Sequence, residues 1–244
     1  MHALALRTLL VGSIALIGWT APVLSQWQPN GVAVSGASGD INLVIPDGAG
    51  GAYIAWRNGF NEDDVWLQRL TAQGYPAPGW PIGGLAIAVR PGSQQLSDIE
   101  PDGVGGVLVN WRHAVLDAPT LDDLFVQRIL ADGTIAPGWP AAGFRILAPD
   151  HQDFSNIAPD GLGGAYVVWK DDRAYPTRRY DVYAQHLLGD GTVAPGWPDS
   201  GLAIAALPSD IGRVRVLQDG SGGAIFLWAD TRNPGPLADS YGLR

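Results

Sequence analysis

The sequence predicts an all-β protein, a β-propeller-like array of about four four-stranded blades, and three observations lead to this fold class. One glycine-rich motif occurs four times, at spacings of 55, 58 and 59 residues. A tryptophan follows every copy at the same distance, and no 3.6-residue amphipathic pattern appears after residue 26. A period of this length exceeds most solenoid units and suits a blade of four strands.

The repeated motif is Asp-Gly-x-Gly-Gly, and it occupies residues 46–51, 101–106, 159–164 and 218–223 together with the residue before it. Its Asp-Gly pair supplies the positive-φ position of a tight turn, so we predict a β-hairpin turn at each copy. A tryptophan stands five residues after each Gly-Gly pair, in an apolar run typical of an inner strand covered on both faces. These tryptophans are Trp56, Trp111, Trp169 and Trp228.

Two further blocks complete the repeat. An Asp-x-aromatic triplet begins a more polar strand nearer the outer edge of the blade, and its aspartates are Asp64, Asp123, Asp181 and Asp239. A Pro-Gly-Trp-Pro block at residues 78–81, 137–140 and 195–198 has a glycine four residues after its tryptophan. We therefore predict blades at residues 41–88, 97–147, 155–205 and 211–244, within a single repeat domain that covers residues 26–244.

The two ends of the repeat domain suggest two alternatives for the fourth blade. Residues 27–34 reproduce the spacing of the last strand of a blade through Trp27, Gly31 and Val34, while the fourth copy stops at Arg244, the equivalent of Arg128. In one hypothesis the N-terminal segment closes a ring by completing the C-terminal blade, which protects two sheet edges. In the other, the sequence is cut short from a longer array. Three blades are complete in either case.

The N-terminal 25 residues have the pattern of a signal peptide, with His2 and Arg7 before an apolar run and small residues before Gln26. A single membrane anchor is the alternative, but the run is short for a bilayer span. We therefore expect an exported protein, periplasmic, secreted or at the cell surface, with no membrane insertion after signal cleavage. Beyond residue 25 the chain has 14 Lys and Arg against 24 Asp and Glu, which argues against nucleic acid as a partner.

The third copy carries a resemblance to known repeats. Asp160-Gly161, the strand of Trp169, Asp172-Arg173 and Asp181-Val182-Tyr183 resemble the repeats of TolB-like propellers. The whole repeat is more similar to units in large secreted or surface proteins of bacteria, with Asp-Gly-x-Gly-Gly, Trp, Asp-x-Arg and Asp-Ile-Tyr-x-Gln-Arg in that order. The resemblance implies a propeller fold. The Pro-Gly-Trp-Pro block departs from the TolB-like pattern, so partner binding by TolB itself is not carried over.

The recurring tryptophans and aspartates are expected to be structural, because every blade needs the same packing. Arg173 and Arg232 recur shortly after a tryptophan, so we expect them to pair with the aspartates of the Asp-x-aromatic triplets. Three acidic clusters, at residues 62–64, 122–123 and 171–172, could supply oxygen ligands for calcium in an exported protein. None has the spacing of a known calcium loop, so no cofactor is predicted, and calcium stays the one candidate.

Differences between the copies concentrate in the loop between the tryptophan strand and the Asp-x-aromatic strand. Function in repeat folds is expected where copies differ, because the shared positions make the fold. We therefore predict binding of a protein or glycan at the cell surface through these loops, with solvated loops of no function as the alternative. The candidate binding residues are Arg173, Tyr175, Arg178, Arg179, Tyr180 and His113.

No catalytic constellation is evident: the chain has no cysteine, no nucleophile elbow, no zinc-binding histidine pair and no phosphate loop. Three functions follow as hypotheses. The first is an exported non-catalytic module that presents variable loops to a protein or glycan. The second is a propeller-type polysaccharide hydrolase or lyase that uses aspartates in the central funnel. The third is a structural spacer within a longer surface protein.

Overall fold

The computed structural model describes residues 27, 30–35, 40–58, 63–114, 122–149, 151–233 and 238–244, and its regular elements are all β-strands. The predicted all-β, propeller-like fold class is confirmed. The strands, in chain order, are β1 (Asp40–Pro46), β2 (Ala52–Asn58), β3 (Asp64–Leu70), β4 (Leu85–Ala88), β5 (Ser93–Pro101), β6 (Val107–Ala114), β7 (Asp123–Ile129), β8 (Phe144–Arg145), β9 (Gln152–Pro159), β10 (Ala165–Asp171), β11 (Asp181–Leu187), β12 (Leu202–Ala205), β13 (Ile211–Gln218), β14 (Ala224–Asp230) and β15 (Asp239–Leu243).

These strands form four antiparallel meanders, which we call blades 1 to 4. Blades 1 to 3 each have four strands, in the orders β1-β2-β3-β4, β5-β6-β7-β8 and β9-β10-β11-β12. Blade 4 contains β13-β14-β15 among the described residues. The first strands β1, β5, β9 and β13 contact one another in chain order, so they are the inner strands of a side-by-side array.

The core lies between neighbouring blades, because each sheet is apolar on both faces. Tyr53 and Ala55 of blade 1 pack with Ile99 and Val109 of blade 2, and all four side chains are buried. Equivalent clusters join blade 2 to blade 3 and blade 3 to blade 4. A single blade cannot bury both faces, so the array is stable only through its neighbours.

The Asp-Gly turns are held by their own aspartates. In blade 2, Asp102 Oδ1 accepts hydrogen bonds from the backbone N–H groups of Val104 and Gly106 at 2.9 and 2.7 Å. Its Oδ2 accepts from Arg128 Nε of the third strand at 2.7 Å. The same arrangement recurs in the other blades, with the pairs Asp47–Arg69, Asp160–His186 and Asp219–Arg244. The aspartate thus joins the hairpin turn to the neighbouring strand.

The Pro-Gly-Trp-Pro block connects each blade with itself and with the next one. The glycine four residues after the tryptophan of this block packs against the indole of the blade tryptophan. In blade 2, a Cβ on Gly143, whose φ is +84°, would lie 2.4 Å from Cη2 of Trp111. Its own tryptophan donates an Nε1–H hydrogen bond to the outer turn of the following blade, as Trp80 does to Ala131 O at 2.9 Å. Trp139 repeats this contact with Gly189 O at 3.1 Å. Only glycine fits this close approach at positive φ.

The N-terminal segment adopts part of this arrangement. Trp27 Nε1 donates to Ala72 O in the outer turn of blade 1 at 3.0 Å, the same contact that Trp80 and Trp139 make. None of the described residues 30–35 belongs to a strand. The ring closure considered from the sequence is therefore not seen as strand pairing in the described part of the chain.

Several predicted features fall on residues that the structure does not describe. The predicted signal peptide at residues 1–25 lies outside the described residues, as do Glu62 and parts of the variable loops. Within the described part of the chain, no helix has the length and apolar character needed to span a membrane.

Candidate functional site

The Asp-Gly turns and the variable loops lie at opposite ends of the blades. The Asp-Gly turns lie at one end, which we call the turn face. At the other end, Asp171 closes β10 opposite Gln152 at the start of β9 and Asp181 at the start of β11. The variable loops of the blades therefore gather at this second end, which we call the loop face.

A cleft of 560 Å³ opens between the inner strands of blades 2, 3 and 4, and we call it the axial cleft. It lies toward the loop face, because most of its lining residues come from the first part of β5, β9 and β13, and the others, Arg112 and Leu124, lie at the loop-face ends of β6 and β7. Its lining residues are Gln95, Leu96, Ser97, Arg112, Leu124, Asp153, Phe154, Ser155, Arg213, Val214 and Arg215. Sequence analysis did not single out any of them.

Arg112 organises the carboxylates at the mouth of the axial cleft. Its Nη1 donates to Asp122 Oδ2 and to Asp153 Oδ1, both at 3.0 Å. The two carboxylate oxygens are therefore no more than about 6 Å apart, twice that distance. Its Nη2 donates to Gln95 Oε1. Two carboxylates thus neutralise this guanidinium and hold it in place.

Arg213 and Arg215 differ from Arg112 because they have no comparable partners. Both side chains are exposed on β13 and line the cleft. Arg215 Nη1 donates to the backbone oxygen of Val214 at 3.0 Å, and neither arginine forms an ion pair with any carboxylate in the described ranges. The cleft therefore presents two exposed guanidinium groups without a direct ion pair, in a protein whose net charge is −9. The charge of Arg215 acts on the carboxyl group of Asp98 and partly opposes the rise of its pKa.

Phe154 forms an exposed aromatic surface on the cleft wall. A β-bulge sets it opposite Trp169 together with Ser155, and its φ is +50°, an unfavourable conformation for a phenylalanine. Its side chain is 61% exposed, so burial of the ring does not compensate for this strain. Strained residues of this kind concentrate at functional sites.

The ammonium group of Lys170 packs on the ring of Phe154. Its Nζ lies 4.2 Å from the ring centroid of Phe154 and 4.3 Å from that of Tyr180, so the ammonium group is held between two aromatic rings. It also donates to Ile211 O at 3.5 Å. Burial lowers the pKa of Lys170 below its ordinary value. This lysine connects the inner strand, a variable loop and the start of β13.

Two acidic side chains, Asp98 and Glu100, lie on β5 just after the residues of this strand that line the axial cleft. Burial raises the pKa of Asp98, despite hydrogen bonds from the backbone of Ile157 and from Asn156 Nδ2. Burial and the nearby Asp98 also raise the pKa of Glu100. Asn156 Oδ1 in turn accepts from the backbone N–H of Val216 at 2.8 Å, so these groups connect the inner strands of blades 2, 3 and 4.

Some predicted binding residues are engaged within the protein. Arg173 binds Asp171 through Nε and Nη2 at 2.6 and 2.7 Å and stacks 3.7 Å above the ring centroid of Tyr183. Arg178 makes a two-point contact with the buried carboxylate of Asp181, at 2.8 and 3.0 Å. These contacts fix the base of the loop.

The remaining predicted binding residues are distributed over the loop face. Arg179 joins Arg178 in lining a second cavity of 350 Å³, together with Asp210 and Thr231 among others. Tyr175 is exposed, and Tyr180 packs on Lys170. The Nε2 atom of His113 is 3.0 Å from Pro91 O, on blade 2. The structure therefore does not gather these side chains into one site.

The recurring tryptophans lie in the core and stack on the aromatic residue of the Asp-x-aromatic strand, with ring centroids 5.5 to 6.5 Å apart. The arginines after them have other partners than expected: Arg173 and Arg232 bind Asp171 and Asp230 at the end of the tryptophan strand, because these carboxylates are two residues away. The triplet aspartates bind elsewhere, as Asp123 binds Arg145 and Asp239 binds Asn233. Asp64 begins β3.

The calcium candidates do not form a cluster in the described ranges, which contain no group of three or more His, Cys, Asp or Glu residues able to hold a metal ion. Glu62, in the first acidic stretch, lies outside these ranges. Calcium binding stays a prediction.

Comparison with known proteins gives a likeness in overall structure only. No protein-family model matches the chain, and no curated protein matches it. An endo-arabinase from Bacteroides thetaiotaomicron VPI-5482 is similar at 13% identity and a TM-score of 0.46, over 82% of this chain and 72% of that one. A GH93 α-L-arabinofuranosidase of Fusarium graminearum has 11% identity and a TM-score of 0.49, over 82% of this chain and 60% of that one. An α-L-arabinanase of Penicillium chrysogenum has 12% identity and a TM-score of 0.44, over 84% of this chain and 72% of that one. No residue role is carried over from them.

Proposed function

We propose that this propeller module binds an acidic glycan in the axial cleft at the loop face. The observation that carries the proposal is the combination of Arg213 and Arg215, without ion pairs to described carboxylates, with the exposed ring of Phe154. We place the glycan outside the cytoplasm, in accord with the predicted signal peptide.

Guanidinium groups and an aromatic ring together recognise an acidic sugar. A guanidinium can bind a carboxylate or sulfate through two parallel hydrogen bonds, and the apolar face of a sugar ring packs on an aromatic face. The protein as a whole is acidic and repels a polyanion, so the exposed Arg213 and Arg215 favour binding of such a ligand in this cleft. A neutral glycan offers these guanidinium groups no opposite charge to bind.

The binding test compares an acidic with a neutral polysaccharide, polygalacturonate and arabinan, by isothermal titration calorimetry. We expect polygalacturonate to bind and its affinity to fall with added salt. The double variant Arg213→Gln/Arg215→Gln should bind at least about tenfold more weakly, since lost charge-assisted hydrogen bonds contribute about 1.5–3 kcal/mol each. Phe154→Ala should also weaken binding.

The matched control is Arg145→Gln, because Arg145 is an exposed arginine outside the axial cleft. This variant should bind as the wild-type protein does. Equal binding of both polysaccharides without salt dependence, or full binding by the double arginine variant, would contradict the proposal.

A second candidate function is hydrolysis of the bound glycan by carboxylates of the axial cleft. Asp153 lines the axial cleft, and its Oδ1 lies within about 6 Å of Asp122 Oδ2. Retaining glycosidases use two carboxyl groups about 5–5.5 Å apart, of which one is protonated. We assign Asp153, which lines the cleft, as the candidate nucleophile and Asp122 as the candidate acid.

The hydrolysis test measures release of reducing ends from polygalacturonate and from arabinan. Asp153→Asn and Asp122→Asn should each abolish release, whereas an active Asp122→Asn variant would exclude that residue as the acid. Absence of any release by the wild-type protein would remove the enzyme candidate and leave the binding proposal standing, because that proposal is tested by calorimetry.

A further inference from the structure

A second cavity opens at the loop face, between the variable loop of blade 3 and the segment that leads into blade 4. Its volume is 350 Å³, and it shares no described lining residue with the axial cleft. Three of its lining side chains carry hydroxyl groups and two are arginines, so the wall is rich in hydrogen-bond donors. The described lining residues include Thr177, Arg178, Arg179, Ser209, Asp210 and Thr231.

Two hydroxyl groups on this wall have protons to donate. The Oγ atom of Ser209 is buried and has no hydrogen-bond partner in the described part of the chain. Thr231 Oγ1 accepts a hydrogen bond from the backbone N–H of Asp210 at 3.2 Å, and this contact does not use its own O–H. Buried hydroxyl groups are nearly always hydrogen-bonded, because an unpaired one costs free energy. An acceptor bound in the cavity would satisfy Ser209.

The two arginines on the wall differ in how they are held. Arg178 binds Asp181 through Nε and Nη2, so its Nη1 lies outside that ion pair. Arg179 is exposed, and it forms no ion pair with a carboxylate within the described ranges. Its guanidinium carbon lies 5.7 Å from the ring centroid of Tyr180. A guanidinium group fixed by a carboxylate therefore shares the cavity with one that has no direct ion pair.

One carboxylate, that of Asp210, lines the cavity among its described residues. Burial lowers the pKa of Lys170 most, and the charge of Arg179 lowers it further, whereas the charges of Asp153 and Asp210 raise it. Asp210 thus acts on a cation that is not one of the lining residues. Across the described ranges, no three His, Cys, Asp or Glu side chains form a group that could hold a metal ion. The donors and positive charges of the wall therefore favour an anion over a metal ion.

We infer that the second cavity binds a sulfate or phosphate group. The guanidinium groups of Arg178 and Arg179 and the hydroxyl groups of Ser209 and Thr231 are its donors. A tetrahedral oxyanion has oxygens on every side, which suits donors that come from three separate segments of the chain, and arginine binds such oxygens through its N–H groups. Two sources share this chemistry, a free inorganic anion and an ester group on a glycan. The site is separate from the axial cleft and does not depend on glycan binding there.

Isothermal titration calorimetry at constant ionic strength tests the two sources. The first arm titrates inorganic sulfate, and its binding indicates a site for the free anion. The second arm compares chondroitin with chondroitin sulfate, and tighter binding of chondroitin sulfate indicates an ester on a glycan. Both chains carry carboxylates, so only the sulfate ester distinguishes them.

Arg179→Gln should weaken this sulfate-dependent binding at least about tenfold, because it removes charge-assisted hydrogen bonds. Arg145→Gln is the matched control, since Arg145 is not among the described lining residues of the cavity, and it should bind as the wild-type protein does. No sulfate-dependent binding in either arm, or full binding by Arg179→Gln, would overturn the inference, whether or not polygalacturonate binds in the axial cleft.

Ser209→Ala separates a binding role of the buried hydroxyl from a structural one. The substitution removes a hydroxyl that has no partner among the described residues, so the melting temperature without sulfate should be unchanged or higher. Sulfate-dependent binding should weaken about fivefold, the effect of one lost hydrogen bond. A lower melting temperature with unchanged sulfate binding would show that the hydroxyl serves the fold, and it would overturn the assignment of Ser209 to this site.

Discussion

The contact between Gly143 and Trp111 allows a quantitative test of how the fourth strand attaches to its blade. An alanine at position 143 would have a φ of +84° and a Cβ 2.4 Å from Cη2 of a fully buried indole. The left-handed conformation costs a non-glycine residue about 1–2 kcal/mol. Displacing the indole costs about 1–3 kcal/mol more, as overpacking of a core usually does. We therefore expect Gly143→Ala to lower the free energy of unfolding by about 2–5 kcal/mol.

Gly196→Ala provides the control for this prediction. Gly196 has a φ of +86°, but a Cβ there would meet nothing within 4 Å. This variant should lose only the conformational part, about 1–2 kcal/mol. The difference between the two variants, about 1–3 kcal/mol, measures the contact with the tryptophan.

Urea denaturation followed by tryptophan fluorescence gives both free energies, with unchanged m-values as the sign that the two states are the same. In a thermal scan, the melting temperatures of the two variants should differ by about 2–12 °C. If Gly143→Ala is as stable as Gly196→Ala, the glycine is not needed for close packing on the blade tryptophan, and the reasoning fails.

Three further predictions concern charged and titratable groups. Asp102→Asn should cost about 3–5 kcal/mol in urea denaturation, because it leaves the guanidinium of Arg128 without its buried partner, whereas Asn at the exposed Asp199 should have little effect. Hydrogen bonds from Arg232 lower the pKa of Asp230 from 3.8 to about 2. The stability that Asp230 contributes is therefore complete above its ordinary pKa and lost as pH falls toward 2, and Asp230→Asn should flatten the stability profile in that range. Burial raises the pKa of Tyr53 from 10.0 to about 12, so stability should fall as pH rises between these values. A Tyr53→Phe variant with the same alkaline slope as the wild-type protein would contradict this assignment.

The repeat made most of the fold predictable. Four copies of one motif indicated hairpin turns, and the spacing of tryptophan, aspartate and glycine indicated four strands per blade, because each of these signals is local. The pairing of Asp102 with Arg128 and the contact of Gly143 with Trp111 give the physical reason for two of the spacings that recur within the repeat.

The candidate site was not predictable in the same way. Sequence differences drew attention to the loop residues Arg173 and Arg178, and both bind carboxylates of their own blade. The residues of the axial cleft come from three blades, and Arg112 and Arg213 are brought to one cavity only by the stacking of inner strands. A signal was present, since Arg213 and Arg215 are charged residues in an inner strand, where copies at other blades have mostly uncharged residues.

The sequence by itself determined the repeat unit, the turns and the aromatic core of each blade, because these depend on residue types at short, recurring separations. Only the tertiary structure decided which charges form ion pairs and which residues line the axial cleft. The physical reason is that charge pairing and burial depend on distances between blades, and residues more than fifty positions apart in the chain acquire those distances only when the sheets pack.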